Sequence, residues 1–238
     1  MLIDTLLQIA ATKLKARFKR SAVSILGKFG LIGEEKNTMT LAGVVEVNMN
    51  KSKIFLTSDT HFNHNNLIGM CPESRGHFSS VEDMNESIIE YWNMTVPPDG
   101  IVYHLGDLCM GKAEDIPGIL KRLNGRIILI RGNHDYGKRR KIYEECGVEI
   151  KDIDYIAYKG MYFVLSHIPI GNEEYMEMLV GPNGEIWNLH GHTHQYTYFS
   201  EVPHTLHVGL DSNGMKPISL EDIYQKIQAY EELTCHYE

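Results

Sequence analysis

Five short motifs carry residues that could do chemistry: Asp59-Thr60-His61, Gly106-Asp107, Gly132-Asn133-His134-Asp135, Ser166-His167 and Gly191-His192-Thr193-His194. Seven side chains in them are natural metal donors: Asp59, His61, Asp107, Asn133, His167, His192 and His194. They offer carboxylates, imidazoles and one amide oxygen, and no thiolate. Such a set suits manganese, iron, zinc, nickel or cobalt better than calcium. Seven donors are too many for one first-row ion, whereas two ions sharing a carboxylate would use them well. Ions about 3.5–4 Å apart can clamp the attacking and the leaving oxygen of a phosphoryl transfer. His192 and His194 alternate, so on a regular strand both would face one side. Glycine beside the donors permits tight turns and close backbone approach.

The motifs follow short apolar runs. Residues 54–56, 101–103, 127–130 and 162–165 read as buried strands. Residues 81–92, 113–123, 138–146 and 220–233 read as helices, and Val44, Val45 and Val47 as a short strand. Strand and helix alternate, which implies an α/β sandwich. In such sheets, ligand sites gather at the carboxyl ends of the strands. Donors distant in sequence would therefore converge.

Composition narrows the class. Of 238 residues, 43% are hydrophobic and 23% charged, which excludes a disordered or collagen-like chain. No run of eighteen apolar residues occurs, which argues against a conventional membrane-spanning helix. A net charge of -8 argues against coating nucleic acid, so no stable nucleic-acid binding is expected. The four cysteines, Cys71, Cys109, Cys146 and Cys235, form no CxxC pair. They read as reduced thiols of a cytoplasmic protein. The basic residues near the N-terminus follow its short apolar stretch, the reverse of a secretory signal.

Residues 1–50 stand apart from residues 51–238. Lys13, Lys15, Arg17, Lys19, Arg20 and Lys28 face a single acid, Asp4, within the first thirty residues. Ile3, Leu7, Ala10, Leu14, Phe18, Ala22, Ile25 and Phe29 form one apolar stripe at helical spacing. Such a basic amphipathic helix fits packing on its own domain, a second copy, a partner groove or an anionic membrane surface. Residues 34–42 read as a linker. Met49, just before the domain-like sequence, is a second candidate start.

The ordered set DxH, GD, GNHD, H and GHxH resembles the calcineurin-like metallophosphoesterase superfamily, in a compact bacterial and phage-type branch. The resemblance covers Lys53 to about Ile223. It implies a four-layer αββα sandwich, here with an N-terminal amphipathic helical extension. It implies two divalent transition-metal ions, manganese first. Asp59, His61 and His194 would hold one ion, Asn133, His167 and His192 the other, and Asp107 would bridge them. A hydroxide generated at the centre would attack phosphorus in line. His134 would protonate the leaving oxygen, with Asp135 orienting it. His64 and Arg75 are candidates for contact with the substrate phosphate. The implied function is hydrolysis of a small, nucleotide-like phosphodiester or phosphomonoester. The alternatives are a metal-holding interaction scaffold without turnover, and a phosphohydrolase anchored to a membrane by residues 1–30.

Overall fold

The computed structural model describes residues 45–46, 53–170, 186–199 and 202–234. The helix and linker expected before residue 44 lie outside the described residues. Among the described residues, ten strands form two five-stranded sheets. The first sheet contains β1 (Val45–Glu46), β6 (Asp154–Tyr158), β7 (Met161–Leu165), β8 (Ile186–His190) and β9 (Thr205–His207), in that order. The second runs β10 (Ile218–Ser219), β2 (Ile54–Thr57), β3 (Ile101–His104), β4 (Arg126–Ile130) and β5 (Glu149–Lys151).

Parallel pairing of β2, β3, β4 and β5 brings their carboxyl ends to one edge. The crossovers that parallel strands require contain α3 (Val81–Thr95), α4 (Ile116–Leu120) and α5 (Lys138–Glu145). Two short helices, α1 (Leu67–Met70) and α2 (Pro72–Arg75), precede α3, and α6 (Leu220–Thr234) ends the described chain. In the first sheet β7, β8 and β9 are also parallel. The sheets meet face to face. Ile54, Leu56 and Ile130 pack with Ile156, Phe163, Leu165, Trp187, Leu189 and Leu206, and α6 adds Leu220, Ile223 and Ile227. The opposite face of the second sheet, with Val102, Ile127 and Leu129, is covered by Met84, Ile88 and Trp92 of α3 and by Ile116, Ile119 and Tyr143. This is the two-sheet α/β sandwich that the resemblance implies.

Local sequence explains the elements. The Ser80 side chain caps α3 by accepting from the Asp83 N–H at 3.1 Å. Glu82 and Asp83 favour the positive end of the helix. Met84, Ile88 and Trp92 recur every fourth residue and are buried. After Val96, Pro97 and Pro98 prevent continuation.

The helix expected at 113–123 is shorter. A 3₁₀ turn, Ala113–Asp115, leads into α4. Pro117 tolerates only the first turn, Gly118 propagates a helix poorly, and Gly125 at φ 85° redirects the chain into β4. Strand β8 was hidden by Asn188 and His190, which interrupt its apolar run although all five residues are buried. Strands β5, β6, β9 and β10 likewise carry no apolar run long enough to read.

Trp92 is wholly buried and its indole N–H donates to the Asn124 carbonyl at 2.9 Å. Trp92→Ala should lower unfolding stability by about 3–5 kcal/mol, measured by denaturant titration.

Candidate metal centre

Each predicted donor sits on the turn that leaves a strand at the shared edge. Asp59 and His61 follow β2, Asp107 follows β3, Asn133 follows β4, His167 follows β7, and His192 and His194 follow β8. Backbone bonds tie the turns together: Asp59 N–H donates to Gly106 O at 2.9 Å, His61 N–H to Asp107 O at 3.0 Å and Gly191 N–H to His167 O at 3.0 Å. Asp59, His61, Asp107, His192 and His194 all have positive φ, between 46° and 70°. A non-glycine residue there costs on the order of 1 kcal/mol, and it persists only where surrounding contacts enforce it. At Gly106, φ is 96° and an added Cβ would lie 2.5 Å from His167 Nδ1. A side chain at Gly132 would fall on the Asp107 carboxylate, and one at Gly191 on Ser58 and Asp59. The glycines of the motifs thus make room for the donors themselves.

The seven donors form two adjoining groups. In one, Asp59 Oδ1 lies 3.7 Å from His61 Nε2 and 3.9 Å from His194 Nε2. Asp59 divides its oxygens. Oδ2 accepts from Ser58 Oγ and from His192 N–H at 2.9 Å, whereas Oδ1 is buried and unpartnered. In the other group, Asn133 Oδ1 lies 2.8 Å from His167 Nε2 and 3.0 Å from His192 Nδ1, and the two imidazole nitrogens are 3.2 Å apart. Asp107 stands between the groups. Its Oδ1 accepts from His134 N–H at 2.8 Å. Its Oδ2 is 3.6 Å from His61 Nε2 and 3.5 Å from His167 Nε2.

Hydrogen bonds set which nitrogen faces inward. His167 Nδ1 donates to Leu105 O at 2.8 Å, so its Nε2 lone pair points at Asn133 and Asp107. His194 Nδ1 donates to Asp211 Oδ2 at 2.8 Å, leaving Nε2 for Asp59. Second partners of this kind fix ring orientation and raise ligand basicity at metal sites. Buried oxygen and nitrogen lone pairs that face each other without donors are costly, and a cation resolves the conflict. Asp59 Oδ1 and both His61 ring nitrogens are buried without a hydrogen-bond partner. The residues present therefore fit divalent metal.

The remaining predicted residues divide. His134 places Nε2 3.8 Å from Asp107 Oδ2 with its side chain 40% exposed, at the open mouth of the centre. His64 is half-buried with its ring 5.3 Å from that of His61. Burial and the neighbouring His61 and His134 hold it below the ordinary imidazole pKa.

Asp135 is not placed to orient His134. It is buried and accepts from Asp107 N–H at 2.7 Å, Gly132 N–H at 2.9 Å, Leu108 N–H at 3.3 Å and Tyr143 Oη at 3.3 Å. It stitches the Asp107 turn to the Asn133 turn, and burial raises its pKa.

Arg75 likewise does not face a substrate. It is 0% exposed. Its Nε and Nη2 donate to Asp211 Oδ1 at 2.8 Å and Oδ2 at 3.0 Å, and Nη2 also reaches Asp59 O at 2.7 Å. The guanidinium fork that suggested a phosphate contact is instead buried in an ion pair with Asp211.

Asp211 itself escaped the sequence reading. Its sequence signal was slight: an acid two residues past a glycine, Gly209, with no readable apolar run before it. His104 is a supporting residue. Thr60 Oγ1 donates to Leu108 O at 2.8 Å and so accepts from His104 Nε2 at 2.9 Å. Burial drops the His104 pKa to about 3 and keeps it neutral. Asn188 secures the His167 turn from behind, donating to Val164 O at 3.1 Å and Ser166 Oγ at 2.9 Å and accepting from Ile170 N–H at 2.8 Å.

Two sheets whose carboxyl ends bring two carboxylates, an amide and four imidazoles into adjoining metal-binding groups define a metallophosphoesterase-type centre. Residues 53–210 match the calcineurin-like phosphoesterase superfamily domain, and the chain belongs to that family. It is 35% identical over 188 residues to an uncharacterized protein of Methanocaldococcus jannaschii, covering 76% of this chain and 94% of the relative. It is 26% identical over 211 residues to the gene 66 protein of Mycobacterium phage L5, covering 78% and 99%. The solved structure of a protein of unknown function from Aquifex aeolicus superposes with a TM-score of 0.57 at 27% identity, covering 74% of this chain and 99% of that one. The family is metal-dependent, in agreement with the donor groups Asp59–His61–His194 and Asp59–Asp107–His167. Among the described residues no helix is long and apolar enough to cross a membrane.

Burial works against a charged His194, but the Asp211 bond and the Asp59 charge outweigh it, so the pKa is raised. The metal-free pair therefore adds stability below the ordinary imidazole pKa, and this is lost as pH rises through the raised value. Metal must displace that proton's influence, so metal affinity should rise over the same window. Asp211→Asn should weaken metal binding about 10–100-fold, measured by competition with a chromophoric chelator, and should flatten that pH dependence.

Proposed function

We propose that this phosphoesterase uses two metal ions to hydrolyse small, nucleotide-like phosphodiesters, with phosphomonoesters as slower substrates. One observation carries the two-ion reading: Asp107 Oδ2 lies nearly equidistant from a donor of each group, 3.6 Å from His61 and 3.5 Å from His167. Asp59, His61 and His194 would hold one ion, Asn133, His167 and His192 the other, with Asp107 shared. When bound, such a pair supplies a nucleophilic water at neutral pH and neutralises charge on the phosphoryl oxygens.

The chain's own residues supply the rest. Asp135 and Arg75 hold the donor turns in register from below. His134, at the open mouth, is placed to give a proton to the leaving oxygen. His64, neutral beside His61, can donate to a phosphoryl oxygen without adding charge. The negative whole-chain balance favours a small substrate over a polyanion. Among the described residues Cys71, Cys109 and Cys146 are free thiols, and a reducing, cytoplasmic setting is part of this proposal.

The test is hydrolysis of bis-p-nitrophenyl phosphate and p-nitrophenyl phosphate by metal-stripped protein with manganese, iron, zinc, nickel, cobalt or magnesium restored. Turnover should depend on metal and be faster on the diester. Asp107→Asn should lose most activity and both ions. His134→Gln should keep its metal and lose about 10²–10⁴-fold in kcat, most with poor leaving groups. Silence with every metal, while two ions remain bound, would indicate a scaffold instead.

A further inference from the structure

A cleft of about 570 Å³ opens beside the His194 side of the centre. That volume falls in the range of small-molecule sites, roughly 300–1,000 Å³. Asp211 forms part of its wall. Because Asp211 Oδ2 accepts from His194 Nδ1 at 2.8 Å, the cleft is one imidazole ring away from the nitrogen that faces Asp59.

Three tyrosines line it: Tyr91 of α3, and Tyr196 and Tyr198 just beyond His194. Tyr91 and Tyr196 are 37% and 62% exposed, which leaves their ring faces available. Around them stand Glu73, Ser74, His77, Asp211, Ser212 and Met215, of which Glu73 and His77 are exposed. Rings of this kind stack on flat π-systems. Glu73 favours a group bearing N–H and O–H donors, whereas Asp211 is already engaged by Ser74, Arg75 and His194. A quaternary ammonium, the other common guest of tyrosine walls, is disfavoured because the Lys226 ammonium already lies over Tyr198, 3.8 Å from its centroid.

We infer that this cleft seats the nucleoside part of a nucleotide ester, with stacking on Tyr91 and Tyr196 as the determinant of specificity. The inference rests on the phosphoesterase reading for the place of the phosphorus, but the cleft's own chemistry requires no metal.

It is therefore tested on the metal-stripped full-length chain. Adenosine, choline and inorganic phosphate are titrated separately by calorimetry and ligand-observed NMR. Adenosine should bind saturably and more tightly than choline. Tyr196→Ala and Tyr91→Ala should each weaken adenosine binding at least about fivefold. Met94→Ala, on an exposed side chain of α3 outside the cleft, should leave it unchanged. Both tyrosines are exposed, so thermal denaturation should show the variants folded. No saturable adenosine binding, adenosine binding unchanged from wild type in both tyrosine variants, or a preference for choline would overturn the assignment. If adenosine binds as described but no ester is hydrolysed with any metal, the phosphoesterase reading fails and the cleft assignment stands. The reverse result rejects the cleft alone.

Discussion

Asp59 Oδ1 is the atom on which the arrangement turns. It is a buried carboxylate oxygen with no donor, aimed at His61 and His194. Leaving a charged group in that state is among the more expensive things a fold can do. Its companion Oδ2 is bonded to Ser58 and His192 N–H, and its carbonyl to Arg75, so the side chain cannot swing out to water. The backbone is equally committed, with five donors held at positive φ. Strain of this sort is retained only where packing over-determines it. Here the two sheets do so, because each donor turn leaves a strand whose inner side chains are fixed in the inter-sheet core.

The centre was legible in the sequence because its logic is local. In four of the five motifs the donor follows a short apolar run within a few residues, three of the five carry a glycine beside the donor, and none of this depends on loop length. The βα alternation of the second sheet was legible for the same reason: 54–57, 101–104 and 126–130 are short runs of apolar residues with helices of clear period between them. The first sheet was harder. Asn188 and His190 in β8 look like solvent-facing residues, yet both are buried. Asn188 is tolerated because its amide is satisfied on both sides, a fact of tertiary pairing that no window of sequence contains.

The two misplaced residues show the converse. Asp135 lies next to His134 in sequence, and adjacency suggested an orienting partner. On the turn after β4, successive side chains diverge: His134 goes to the mouth and Asp135 inward, where four donors meet it. Arg75 was read by residue type, since an arginine fork suits phosphate. The same fork suits a carboxylate, and the partner, Asp211, is 136 residues away. Residue type set the chemistry of the pair, but only the fold could say which anion was met.

Arg75 and Asp211 also explain how an acidic interior remains workable. Asp59, Asp107 and Asp211 would repel one another if all were unpaired. Arg75 is bidentate on Asp211 and also binds the Asp59 and Thr60 carbonyls, the latter through Nη1 at 3.4 Å. Against burial, the His194 bond and the Arg75 guanidinium together hold Asp211 ionised, its carboxyl well below the usual range. An ionised Asp211 accepts from His194 and keeps that ring's other nitrogen aimed at Asp59. A protonated Asp211 could not hold the tautomer in the same way. The buried guanidinium thus acts on the centre through two intermediates, a carboxylate and an imidazole, without touching any substrate. The exposed donors Asn133 and His192 lie on the opposite side, where the centre opens to solvent. The site is consequently charge-paired behind Asp59 and open to solvent beside Asn133 and His192.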